Sequence, residues 1–298
     1  MPQGRQIPGG RQGLSRRALL GGAVGAAAAT LMPRLADAAP LAKVKANGVL
    51  RVAIYQDNAP WSWDEGGQIR GIDADLGRAL AEALGVKADL AIFSADESVE
   101  DDLRNAVWRG GLLGFQAADV MLHVPFDPAF AAQVDQVAIV APYAREKFGL
   151  ACATGKGLEC EAAPVAFKGH KLAVELATIP DYYLMGQFGG ALAKDVVHFP
   201  NGAAAVSAMV KGDADAAMAT AAQLEYGLKD QTSGFARRKG PLPMMTSPGW
   251  DVGMAVKEAS RTLGDALDTI VTAMQKDGRM AALCTRYGVT WQAPLAAG

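Results

Sequence analysis

The chain reads as an α/β protein, and three stretches predict it. Leu50-Arg51-Val52-Ala53-Ile54-Tyr55 alternates apolar and polar residues as a strand does. Arg70-Gly71-Ile72-Asp73-Ala74-Asp75-Leu76 is a glycine turn into a helix, continued by Leu80, Ala83 and Leu84 and stopped by Gly85. With a strand near Ala88–Phe93 this makes a βαβ unit, and a second such pattern begins at Lys171. At 298 residues the chain can bury one large core or two smaller ones.

The N-terminus reads as an export segment. Ser15-Arg16-Arg17-Ala18-Leu19-Leu20 is a twin-arginine pattern, and a Gly/Ala-rich apolar run follows to about Met32. Ala36-Asp37-Ala38 supplies small residues for cleavage near Ala38. The run is too short and too weakly apolar for a span of about 20 residues. A Tat signal peptide over 1–38 and a periplasmic product, with no membrane span after cleavage, are expected. A formal charge of −2 gives no sign of a nucleic-acid surface.

In the first βαβ unit, Asp73 and Asp75 fall in the helix's first turn, where carboxylates suit the dipole. The loop Asn58-Ala59-Pro60-Trp61-Ser62-Trp63 places two indoles at the carboxyl end of a strand, where a doubly wound sheet puts its ligand. Trp61 and Trp63 read as packing or as a ligand clamp, with Tyr55 and Asp57 beside them. The acidic group Asp96, Glu97, Glu100, Asp101 and Asp102 lacks the spacing of a cation loop and reads as a solvated helix start, with Ser94 as its cap.

Ala118–Val124 is a buried strand leading to Pro125-Phe126-Asp127-Pro128, so His123 and Asp127 are candidates for a cleft. After a strand at Gln136–Val140, Pro142-Tyr143-Ala144-Arg145-Glu146 reads as the crossing into a second lobe, entered by Phe148–Ala153. There Lys171–Leu176 is a strand and Ala177-Thr178-Ile179-Pro180-Asp181 a helix start, followed by Tyr182 and Tyr183. Val196–Phe199 is a strand and Ala203–Val210 a helix; Lys211–Ala216 turns into another strand. Arg237-Arg238-Lys239 reads as a solvated loop. Trp250–Val256 returns to the first lobe, and 260–288 form closing helices with a turn at Asp277-Gly278. The expected division is 39–143 with 247–298 for lobe 1 and 144–246 for lobe 2.

Cys152 and Cys160 flank a loop short enough to bridge, or stand as two free thiols; Cys284 reads as a small buried apolar residue. His123, His170 and His198 form no metal pattern, and no nucleophile elbow, phosphate loop or Cys-x-x-Cys motif occurs. No cofactor or metal is expected.

Gly71, Ile72, Asp73, Asp75 and Leu76 resemble the signature of family 3 periplasmic solute-binding proteins, with Ala74 smaller than the usual aliphatic. Pro142-Tyr143, Gly212–Ala216, Asp277-Gly278 and Tyr287-Gly288 extend the resemblance over about 44–290. The resemblance implies two α/β lobes joined by two crossing strands, closing on a ligand by hinge motion. It implies a monomeric, non-catalytic receptor that passes a small polar or aromatic solute to an ABC transporter permease. Tyr55, Asp57, Trp61, Trp63, His123, Asp127, Arg145, Thr178, Asp181 and Tyr182 are the candidate ligand residues.

Two positions depart from the amino-acid-binding pattern. Leu122 through Val140 holds no Arg for an α-carboxylate, and Thr220 stands where an Asp would hold an amino group. Asp119-Val120-Met121 with Val124-Pro125 resembles the J-protein branch beside periplasmic PQQ-dependent methanol dehydrogenases. That alternative implies an accessory protein whose cleft takes a protein segment on Trp61, Trp63, Phe126, Tyr182 and Tyr183. A third reading, a periplasmic dehydratase, would need an acid such as Asp57, Asp127 or Asp181.

Overall fold

The computed structural model describes residues 40–111, 114–247 and 249–296, so the expected export segment lies outside the described residues. Residues 39–298 form one compact unit built on two five-stranded sheets. The first sheet joins β1 (Val49–Tyr55), β5 (Lys87–Phe93), β6 (Val120–Pro125), β7 (Val137–Glu146) and β13 (Trp250–Lys257), in the order β5-β1-β6-β13-β7. The second joins β8 (Phe148–Ala153), β9 (Leu172–Glu175), β10 (Val196–Phe199), β11 (Ala216–Thr220) and β12 (Phe235–Arg237), in the order β10-β9-β11-β8-β12. In each sheet parallel strands feed the central positions, and antiparallel strands close one side.

Helix α2 (Ile72–Leu84) follows the predicted turn. Gly71 is required there: its φ is 120°, and an added Cβ would stand 2.2 Å from the Trp61 carbonyl oxygen. The stretch before it, read as a loop, is a small three-stranded sheet of β2 (Asp57–Asn58), β3 (Ser62–Glu65) and β4 (Gln68–Arg70). Gly66 and Gly67, both at positive φ, supply the tight hairpin turn. After β5 comes α3 (Val99–Leu103), extended by a wide turn over Arg104–Trp108. Its cap is Ser98, not Ser94; the Ser98 side chain accepts from the Asp101 amide, whereas Ser94 accepts from Gln56. The acidic group is also not wholly solvated, because Asp102 is buried.

Pro142 through Glu146 is the last part of β7, paired with β13 as far as Glu146, and the chain reaches the second sheet through Lys147. In the second lobe α5 (Ile179–Gly186), α6 (Gly202–Lys211) and α7 (Ala221–Leu228) each follow a strand of the sheet. Helix α7 does not follow from the pattern above. It is held by a capping box in which Thr220 and Gln223 bond reciprocally. Arg237-Arg238-Lys239 is not a solvated loop. Arg237 ends β12, and the Arg238 guanidinium donates to the carbonyls of Cys160, Ala162 and Pro241. The structure bonds Cys152 to Cys160, tying the 154–160 loop to β8.

Each sheet has its own core. Leu50, Val52, Ile54, Leu76 and Leu80 pack with Leu263, Leu267, Val271 and Met274 of α8 (Arg261–Lys276), an apolar stripe at helical spacing. Leu150, Phe167, Leu172, Val174 and Leu184 form the second core. Helix α7 touches both lobes: Ala222 belongs to the first core, and Tyr226 packs on Trp63 at 5.6 Å.

Candidate functional site

The junction of the lobes is filled by a chain of side chains. Asp73, in the first turn of α2, is fully buried and accepts from the Tyr143 hydroxyl at 2.7 Å. That hydroxyl accepts the His123 amide at 3.0 Å, which holds β6 where His123 has a φ of 65°. The imidazole stacks 4.9 Å from Trp61, and the indole Nε1 donates to Glu146 Oε2 at 3.3 Å. Glu146, 2 % exposed, also accepts the Lys147 amide at 3.4 Å, and the Thr220 hydroxyl and the Ala222 amide of α7 lie beside it. Burial pushes its carboxyl above the ordinary range, and these donors oppose the shift. A chain of hydrogen bonds and one aromatic contact therefore runs from α2 in lobe 1 toward the start of α7 in lobe 2. Asp73 Oδ2 and His123 Nδ1 lie 3.2 Å apart, off the line of a hydrogen bond, and both are buried without a partner.

A second group lies at the strand ends. The Tyr55 hydroxyl donates to Asp102 at 2.7 Å, and burial raises both groups. Glu175, at the end of β9, accepts the Gly202 amide of α6 at 2.9 Å. Its carboxyl is raised first by burial and further by the charge of Asp57, which comes from lobe 1. Among the described residues, neither Asp57 nor Glu175 has a cationic partner within ion-pair distance. Asp57 and Glu175 thus bring one negative charge from each lobe within range of the other's field.

The candidate residues separate into those this junction brings together and those it does not. Tyr55, Asp57, Trp61 and His123 belong to the two groups above. Trp61 is buried packing with a hydrogen bond, and Trp63 stacks on Tyr226 and Tyr287. Arg145 is engaged by Asp251 at 2.7 Å. Asp127 caps a short helix, α4 (Pro128–Ala131), through the Phe130 amide. Thr178 caps α5, while Asp181 accepts the Ala177 amide and pairs with His198 at 2.9 Å. Tyr182 is exposed beside exposed Leu176 and Ile179. The sequence reading missed Tyr143, Glu146, Glu175 and Asp102 as site residues, and gave Thr220 only a missing charge. The Thr-x-x-Gln box at Thr220 was the available signal for the α7 end.

Among the described residues, no cluster of three or more His, Cys, Asp or Glu is placed to hold a metal ion. The Cys284 thiol is buried and pushed up to about 12, so it is no nucleophile near neutral pH. Among the described residues, no helix is long and apolar enough to cross a membrane.

A scan of family models and a search of curated proteins return no match. Solved structures do match. The ancestral cationic amino acid solute-binding protein AncCDT-1 aligns with a TM-score of 0.65 at 22 % identity, over 83 % of this chain and 99 % of its own. An amino acid ABC transporter substrate-binding protein of Streptococcus pneumoniae, bound to L-arginine, aligns at 0.58 and 21 % identity over 86 % and 100 %. The L-cysteine receptor of Neisseria gonorrhoeae aligns at 0.59 and 21 % over 83 % and 92 %. The chain has the two-lobe α/β fold of the periplasmic solute-binding proteins.

Proposed function

We propose that the protein is a periplasmic solute receptor that captures a small organic cation between its lobes and delivers it to an ABC transporter. The observation that carries this reading is the pair Asp57 and Glu175, one carboxylate from each lobe, with the charge of Asp57 felt at Glu175 and no cationic partner at ion-pair distance from either among the described residues. A ligand ammonium or guanidinium placed between them relieves their repulsion and joins the lobes. The structural neighbours described as cationic-amino-acid-binding and as arginine-bound support it. Arg145, which the sequence offered for a ligand carboxylate, is held by Asp251 and is not free to grip one. The reading therefore favours amines and guanidines over zwitterions.

A thermal-shift series of polyamines, guanidines, amino acids and organic acids tests this. A ligand at one hundred times its dissociation constant adds about 2.7 kcal/mol. Amines or guanidines should raise the midpoint, and a shift confined to organic acids overturns the proposal. The exposed Leu176, Ile179 and Tyr182 at the second lobe's rim favour a second reading, a cleft that seats a protein segment.

A further inference from the structure

A cavity outside the junction lies on lobe 2, between β8, α7 and the 238–247 segment that leads back to lobe 1. Its volume is about 630 Å³, within the range of small-molecule pockets. None of the ten candidate ligand residues lines it. Four cationic residues do, Lys147, Arg237, Arg238 and Lys239, and no acidic residue does among the described ones. In a chain of net charge −2 that is a concentrated positive wall.

Two carboxylates just outside offset part of this charge. Glu225 pairs with Arg237 at 3.0 Å, and Glu161 accepts the Lys239 and Gly240 amides. The Arg238 guanidinium is already spent on backbone carbonyls, where it shapes the wall. The ammonium groups of Lys147 and Lys239 have no carboxylate within ion-pair distance among the described residues. Phe148 and Leu242 supply apolar surface in the same lining. Cationic and apolar lining together suit one ligand chemistry, a negative head on an apolar body.

We infer that this cavity is a second ligand site, distinct from the interlobe junction, for a small organic anion with an apolar body. The probe is 8-anilinonaphthalene-1-sulfonate, followed by fluorescence and calorimetry, with hexanoate as competitor. One probe should bind per chain, hexanoate should displace it, and raised salt should weaken it. The pair Lys147→Gln and Lys239→Gln, both exposed side chains, should weaken binding about tenfold. Leu242→Asp, on the apolar wall, should weaken it as well. Glu175→Gln, at the junction, should leave it unchanged, and matching thermal midpoints show that each variant is folded. Absence of saturable binding overturns the assignment. So does binding that ignores the lysine pair, or that responds to Glu175→Gln instead.

Discussion

Glu146 and Trp61 meet in the buried junction of the lobes, with the indole Nε1 3.3 Å from the carboxylate. Glu146 lies on a strand of lobe 1, yet the Thr220 hydroxyl and the Ala222 amide beside it come from lobe 2. A side chain of the protein thus occupies the end of α7, where the amino-acid-binding resemblance led us to look for a ligand contact. The departure at Thr220 has a positive role here: a neutral hydroxyl stands beside the Glu146 carboxylate, which an Asp in its place would repel.

Replacing this carboxylate strands the Trp61 indole N–H and takes the acceptor away from the Lys147 amide. Glu146→Ala should cost about 2–4 kcal/mol in urea unfolding, from unpaired buried groups. Glu146→Gln, which keeps an acceptor, should cost less. The two should differ by at least about 1 kcal/mol; equal losses would mean that the hydrogen bonds add little.

The raised carboxyl of Glu146 makes a pH prediction. The folded state holds that proton more tightly than the unfolded chain does. The resulting stability is complete below the ordinary glutamate range and is lost as pH rises through the raised folded value. Asp102 and Glu175 are shifted in the same direction. Stability should therefore fall with rising pH across that window, and Glu146→Gln should flatten the slope without abolishing it. An unchanged slope in that variant would exclude Glu146 as a source.

Gly71 and Gly85 both have positive φ, but only Gly71 is crowded. Gly71→Ala should cost more than about 3 kcal/mol, because the backbone strain adds to a collision with the Trp61 carbonyl. Gly85→Ala, facing open space at the end of α2, should cost about 1 kcal/mol. Chemical denaturation of both variants checks the contrast, and similar losses would show that backbone conformation alone decides.

These two glycines also mark what the sequence made legible. The first βαβ unit, the closing helices and the strands at 148–153 and 196–199 were readable because apolar periods run uninterrupted between glycine stops. The 57–70 sheet was not, because strands of two to four residues are too short to show a period. Helix α7 hid behind an interior glycine and a short, Ala-rich sequence. The site was less legible than the fold. Tyr143 and Glu146 sit on a strand, and only tertiary packing brings them to Asp73 and Thr220. Arg145 and Asp127 have the right chemistry for a ligand, but an acid and an amide already engage them.

The Cys152–Cys160 bond closes a loop with a sequence separation of 8. By loop-closure entropy it is worth about 2–3 kcal/mol. Reducing it should lower the thermal midpoint by several degrees, as should Cys160→Ser. Insensitivity of the oxidised protein to reductant would remove the bond from the account of stability.

Asp57 and Glu175 should set the charge preference of the cleft. They come from different lobes, and each lacks a cationic partner at ion-pair distance among the described residues. If a cation bridges them, Asp57→Asn and Glu175→Gln should each weaken its binding by about tenfold, or about 1.4 kcal/mol. The double variant should lose more than either single one, because both carboxylates face one ligand. Protonation supplies an independent check. A carboxyl raised above its ordinary range takes up its proton at higher pH, so affinity for a cation should begin to fall while an ordinary glutamate is still ionised. Glu175→Gln should remove that early loss. Calorimetric titration of the wild type and the three variants across pH 4 to 8 gives both readouts. Equal affinities in all four proteins would place the cation elsewhere and leave Asp57 and Glu175 without a role in recognition.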